Sequence, residues 1–210
     1  CLTALVFVGG LPAANIGTVV PIVGQVTDLV YDAQRDLVYL ANFNRNQVEV
    51  YSVGARQLLG SIPSGVQPAS LALSPDGQTL YVANIGSQTL SVIDLNTRQG
   101  VGEFTVGARP DSIAVGRDGQ VVILGTAGLM RFDPASGQLF RLPISPPATP
   151  PAGLPAIAPS PMPQGFLAGL VASPSGNLMI GLSTNRLFVY EVASGTVLRS
   201  RNVTGLRAIL

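Results

Sequence analysis

The 210-residue chain contains no histidine, no lysine and no tryptophan, and its single cysteine is Cys1. Each absence removes a chemistry. Without histidine there is no imidazole general base, no Ser-His-Asp triad and no imidazole metal ligand. Without lysine there is no Schiff-base chemistry. One cysteine can neither close an intrachain disulfide nor build a thiolate metal cluster. Catalysis would have to run on Asp, Glu, Tyr, Ser or Arg, or on a bound hard cation, and neither metal nor cofactor is expected. Charge is scarce as well: charged residues make up 11% of the chain and the net charge is +1, so no basic patch is available to hold nucleic acid. No window offers about 18 uninterrupted apolar residues, so no membrane-spanning helix is expected.

What is present suits β-structure. Hydrophobic residues reach 47%, with 24 glycines and 17 prolines, and the apolar residues fall in short runs. That pattern predicts many short strands joined by tight turns, in a chain long enough to bury a sizeable core. The runs repeat every 42 residues: Tyr39-Leu40-Ala41-Asn42 returns as Tyr81-Val82-Ala83-Asn84, and Gln67-Pro68-Ala69-Ser70 as Arg109-Pro110-Asp111-Ser112. A period of about 40 to 45 residues with several strands per repeat predicts an all-β propeller of four-stranded antiparallel blades.

Four repeats are legible, at about 26–65, 66–107, 108–143 and 166–203. In the second, strands are expected at 69–73, 78–83, 89–94 and 101–106, with Ser74-Pro75-Asp76-Gly77 as a turn. The third strand recurs as Val48 to Ser52, Leu90 to Asp94, Leu129 to Asp133 and Leu187 to Glu191. Between the third and fourth repeats, residues 143–165 carry nine prolines and are expected to form an extended inserted loop. The ends, 1–25 and 204–210, read as partial blades. The intact protein is expected to hold more blades than these, ahead of the alternative that the two ends pair into one composite blade. Cys1 admits a lipoprotein reading, but residues 2–9 look like a strand already under way, so a fragment is the expectation.

With Tyr81-Val82-Ala83-Asn84 followed by Leu90-Ser91-Val92-Ile93-Asp94, and Leu73-Ser74-Pro75-Asp76-Gly77 upstream, the chain resembles the YVTN family of β-propeller repeats. The resemblance is strong in the second repeat, good in the first and third, and degenerate in the fourth at Ile180-Gly181-Leu182-Ser183. It implies a seven-bladed, WD40-like propeller, of a kind often secreted, periplasmic or on the surface of bacteria and archaea. Relatives include lactonases and quinoprotein-type subunits. The motif marks a fold and carries no active-site residue with it.

Residues that recur with the period read as scaffold: Asn42 and Asn84, with Thr126 and Ser183 as counterparts, and the turn residues Asp76 and Asp118. A specific site is expected where the period breaks, at the end of the blades that gathers the loops between second and third strands and the loops between blades. There Asn42, Asn44, Arg45 and Asn46 form the most polar stretch, and Arg45 and Arg186 could pair with an anion. Arg109 and Asp111 sit where an inner strand begins. The carboxylates of Asp111 and Asp28 could contribute to a Ca²⁺ site, but a local Arg–Asp contact is the preferred reading. Two functional classes follow. One is a non-enzymatic, extracytoplasmic scaffold that binds a protein or small molecule at the loop face. The other is part of a lactonase-like or quinoprotein-like enzyme whose site lies in blades beyond these residues.

Overall fold

Sixteen β-strands form the computed structural model, which describes residues 19–142, 169–183 and 186–203. The first sheet is built from β1 (Val26–Asp32), β2 (Leu37–Asn42), β3 (Gln47–Ser52) and β4 (Gln57–Pro63). The second holds β5 (Pro68–Leu73), β6 (Thr79–Asn84), β7 (Thr89–Asp94) and β8 (Gln99–Thr105). The third holds β9 (Pro110–Val115), β10 (Val121–Gly125), β11 (Gly128–Asp133) and β12 (Gln138–Leu142). The fourth holds β13 (Gly169–Ala172), β14 (Leu178–Ser183), β15 (Arg186–Glu191) and β16 (Thr196–Asn202). In every sheet the strands neighbour one another in chain order and pair antiparallel, so each sheet is one up-and-down blade with strands a to d. The expectations for Cys1 and residues 2–9, for the proline-rich loop and for residues 204–210 fall outside the described residues.

Local chemistry sets the turns. Each a–b hairpin places one residue in the left-handed region: Asp36 (φ 54°), Gly77 (69°), Gly119 (79°) and Gly176 (67°). Asp76 accepts the Gln78 amide and the Ser74 hydroxyl, and Asp118 accepts the Gln120 amide, the hairpin roles expected of them. The Ser74 hydroxyl and then the Gln78 amide hold the Asp76 carboxyl below the usual carboxylate range.

Alternation along each strand gives every blade two apolar faces, and three apolar layers result. Leu37, Tyr39, Val48, Val50 and Ile62 of the first blade pack on Leu71, Leu80, Val82 and Ile93 of the second. Tyr81, Ala83 and Leu90 pack on Ile113, Ile123, Met130 and Phe132 of the third, with the Phe104 and Phe132 rings 4.7 Å apart. Val122, Leu124 and Leu129 pack on Met179, Phe188 and Tyr190 of the fourth. The aromatic residues Tyr39, Tyr81, Phe188 and Tyr190 are therefore packing residues, each at most 4% exposed.

Inner strands β1, β5, β9 and β13 lie side by side. A polar joint repeats along them. Asp28 Oδ2 accepts the Leu71 amide at 2.8 Å, Ser70 Oγ the Ile113 amide at 3.2 Å, and Ser112 Oγ the Leu170 amide at 3.0 Å. At the other end of the first two blades, Arg35 pairs with Asp32 at 2.9 Å and donates to Gly77 O at 2.6 Å in the next blade's turn.

Candidate functional site: the inner groove and the loop rim

Four inner strands curve around a groove of about 640 Å³, lined by Leu29, Val30, Leu71, Val115 and Val171 among others. The sequence places a β-bulge at the start of three of these strands, at Thr27, Ala69 and Asp111. A bulge re-aims the extra side chain. Thr27 Oγ1 uses this to donate to Pro68 O at 2.8 Å, across the blade joint. Asp111 uses it to receive Arg109 Nε at 2.5 Å, which is the local contact expected from the sequence. Asp28, Ser70 and Ser112 accept backbone amides of the next blade, as described above. The polar side chains bordering the groove are thus engaged with the scaffold, and the remaining surface is mostly aliphatic. Among the described residues, no group of three or more carboxylates and thiols stands close enough to hold a metal ion.

The b–c loops and the blade-to-blade loops meet at one end of the sheets, as the topology requires. Their backbones bond directly: Ser64 N to Asn46 O, Ile85 N to Gln67 O, Val106 N to Gln88 O and Thr126 N to Arg109 O, all between 2.9 and 3.1 Å. Here the sequence-derived candidates separate by environment. Asn42 is fully buried and donates through Nδ2 to Val23 O at 2.7 Å and to Glu49 Oε1 at 2.9 Å. Asn84 is buried in the same place of the second blade, donating to Ser91 Oγ at 2.8 Å. Asn46 is exposed, adopts φ 55°, and accepts the Gln67 amide through Oδ1 at 2.9 Å. Asn44 and Arg45 project from the tip of the 43–46 loop as exposed side chains. Arg186 opens β15 opposite Ser183, and Arg109 is half-buried beside Asp111. Asn44, Arg45 and Asn46 share one loop, whereas Arg109 and Asp111 belong to the rim of the groove two blades further on, and Arg186 to the fourth blade.

One correspondence from the sequence is shifted. Thr126 was the expected counterpart of Asn84, yet the residue paired with Pro110 and Gly128, as Asn84 is with Pro68 and Thr89, is Gly125. The third blade's a–b turn is one residue shorter, closing Gly116 N on Gln120 O where the second closes Ser74 N on Thr79 O. Glycine is required there, because a Cβ on Gly125 would collide with Arg109 O. Ser183 does hold the equivalent place in the fourth blade, opposite Arg186. The sequence reading passed over Glu49, a carboxylate only 7% exposed that accepts Asn42 Nδ2 at 2.9 Å and Gln47 Nε2 at 2.7 Å. The signal for it was a break of period, since the same strand position holds Ser91, Met130 and Phe188 in the other blades.

No sequence-family profile matches the chain, and no curated protein matches it in sequence. Solved structures match it in shape. Kuenenia stuttgartiensis hydrazine synthase aligns at 20% identity with a TM-score of 0.66, over 93% of this chain and 53% of that one. The β-propeller domain of Cps50 (Swd1) from Myceliophteria thermophila aligns at 15% identity with a TM-score of 0.65, over 87% of this chain and 56% of that domain. Dihydro-heme d1 dehydrogenase NirN, in complex with DHE, aligns at 18% identity with a TM-score of 0.61, over 85% of this chain and 37% of that one. The chain thus spans little more than half, or less, of each of these structures. At such identities the likeness establishes the fold, and the chain is a β-propeller of four-stranded antiparallel blades.

Proposed function

We propose that this chain is part of a YVTN-type propeller, seven-bladed on the resemblance of its repeats, that works outside the cytoplasm as a binding scaffold. Its ligand, a protein or a small molecule, meets the loop face around Asn44 and Arg45. One observation carries the choice of scaffold over enzyme: the polar side chains at the groove, Thr27, Asp28, Ser70, Asp111 and Ser112, are held in blade joints or in the Arg109 contact. A catalytic group has to be presented to substrate in a reactive geometry, and these are turned to neighbouring backbone or to a counter-charge. Arg45 at the tip of the loop favours an acidic ligand, because a guanidinium offers paired donors to carboxylate or phosphate oxygens.

The competing reading is a propeller enzyme whose site is completed by further blades. It draws support from two shape neighbours that are enzymes by name and from the share of those structures that this chain spans. Two measurements separate the readings. Biolayer interferometry against acidic peptides and anionic glycans should give saturable binding that Arg45→Ala weakens several-fold. Lactone hydrolysis should be absent with and without Ca²⁺. Turnover abolished by Asp111→Ala would replace the scaffold with the enzyme.

A further inference from the structure

The loop rim carries a finer repeat than the blades do. Gln25, Asn46, Gln67, Gln88 and Arg109 follow one another at half the 42-residue period. Gln25, Gln67 and Arg109 stand immediately before the inner strands β1, β5 and β9, and Asn46 and Gln88 immediately before β3 and β7. Backbone hydrogen bonds tie these positions into one arc. Phe43 N donates to Gln25 O at 2.8 Å, Ile85 N to Gln67 O at 3.0 Å and Thr126 N to Arg109 O at 3.0 Å. In the same way Ser64 N donates to Asn46 O at 3.1 Å and Val106 N to Gln88 O at 2.9 Å. Asn46 Oδ1 takes the Gln67 amide itself at 2.9 Å. The arc therefore runs from the first blade, over the second, to the start of the third.

Its side chains are largely unspent. Gln25 and Gln88 are exposed and Gln67 is half-buried. Among the described residues their side-chain amides make no hydrogen bond, and Asn46 uses only its oxygen. The backbone adds a second observation. Asn46, Gln67 and Gln88 adopt φ 55°, 57° and 56°. Asparagine tolerates this left-handed region, whereas glutamine is strained there and glycine is not. At the two glutamines the strain is held for a side chain that bonds to nothing in the fold. Strain of that kind gathers where ligands are held.

A row of neutral amides, each both donor and acceptor, matches a chain of hydroxyl groups. An extended peptide fits less well. The rim amides of Ser64, Ile85, Val106 and Thr126 are already bonded to neighbouring loops, so no free strand edge is offered for β-addition. Apolar exposure is scattered in single side chains such as Val66 (47%), which make no pocket for a peptide anchor. Beside Asn46, at the loop tip, stands the exposed Arg45, whose guanidinium suits a carboxylate. We propose that this arc is a track for an acidic oligosaccharide. Gln25, Asn46, Gln67 and Gln88 bond its hydroxyls, and Arg45 pairs with a uronate carboxylate. The proposal rests on the scaffold reading above and gives its small-molecule ligand a chemical class.

Isothermal titration calorimetry of the full-length chain tests this with galacturonate, glucuronate and mannuronate oligomers, and with polyglutamate as an acidic peptide. The expected result is saturable binding to at least one uronate oligomer and weaker binding to polyglutamate. Gln67→Gly and Gln88→Gly should each weaken uronate binding about three- to tenfold, the worth of a hydrogen bond or two. Both variants relieve their turns, so their urea midpoints should be unchanged or higher. A purely structural role for the glutamines would leave affinity untouched. Uronate binding indifferent to both variants would overturn the proposal, as would tighter binding of polyglutamate. Arg45-dependent binding of polyglutamate with no uronate bound would fault this inference and leave the scaffold reading standing. Cleavage of a bound oligomer, abolished by Asp111→Ala, would do the reverse, and binding of none of the probes would overturn both.

Discussion

Side chains at equivalent positions of the four blades have changed together, and the pairs explain residues that look anomalous alone. Val82 faces Ser91 across β6 and β7, whereas Gly181 faces Phe188 across β14 and β15. The Phe188 ring occupies the space that a Cβ on Gly181 would need. Bulk has moved from one strand to the other, which is why the fourth repeat departs from Tyr81-Val82-Ala83-Asn84 at Gly181. Gly181→Val alone should destabilise by about 1–3 kcal/mol through overpacking. Phe188→Ser alone should cost about 3–5 kcal/mol through the cavity it leaves. Gly181→Val/Phe188→Ser rebuilds the second blade's pair, so the double variant should lose at least ~1 kcal/mol less than the sum. Urea denaturation of the four proteins measures this coupling, and strict additivity would show that the two residues are not exchanging the same volume. Asn42 and Asn84 follow a similar logic: Asn84 fits because Gly65 has no Cβ, which would otherwise lie 2.6 Å from Asn84 Nδ2.

The hairpin is the element that the sequence specifies most directly, and its turns show where composition is not ideal. The c–d turns need a left-handed residue, supplied by Arg56 (φ 54°), Arg98 (φ 56°), Gly137 (69°) and Gly195 (65°). For a residue with a Cβ that conformation costs about 1–2 kcal/mol, part of which glycine returns through its freer unfolded chain. Arg56 is exposed, so replacing it removes strain without emptying a packed site. Arg56→Gly should raise stability by about 0.5–1 kcal/mol, read from the denaturant midpoint. A lower midpoint would mean that the arginine side chain contributes more than its backbone costs. Strand d also carries a bulge in the first, second and fourth blades, leaving Leu59, Val101 and Leu198 without a partner across the ladder. No sequence signal for this bulge precedes the structure, because strand d is largely exposed and its alternation weak.

Across the whole molecule, each apolar layer between blades contains one buried tyrosine: Tyr39 in the first, Tyr81 in the second and Tyr190 in the third. Burial raises the pKa of all three phenols above the ordinary value, with smaller contributions from neighbouring charges such as Asp32 at Tyr39. The folded state thus holds the neutral phenol while the unfolded chain ionises near pH ~10. Stability from these groups is complete below that pH and is lost as the pH climbs through the raised folded values. Because each described layer is affected, the alkaline transition should be cooperative over the four described blades. Tyr39 Oη has no hydrogen-bond partner among the described residues. Tyr39→Phe should therefore leave stability at neutral pH unchanged or higher, and make its decline above pH ~10 shallower. Guanidinium midpoints measured from pH 7 to 11 check both statements, and an unchanged alkaline slope would remove Tyr39 from this account.

The 42-residue period, the turn residues and the strand alternation were enough to define the blade, because these are local properties: a hairpin is set by its own φ values and by which residues alternate in and out. The same local information marked Asn44, Arg45 and Asn46 as a departure from the repeat. It misplaced the third blade's counterpart of Asn84, since one residue lost in the 116–120 turn shifts everything after it and only the pairing of Gly125 with Pro110 reveals the shift. What tertiary structure alone decided is how blades address one another. The Asp28, Ser70 and Ser112 joints link residues 43 to 58 positions apart in the chain, and packing buries Asn42 together with Glu49. Such contacts depend on the twist and stacking of whole sheets, which no window of sequence contains.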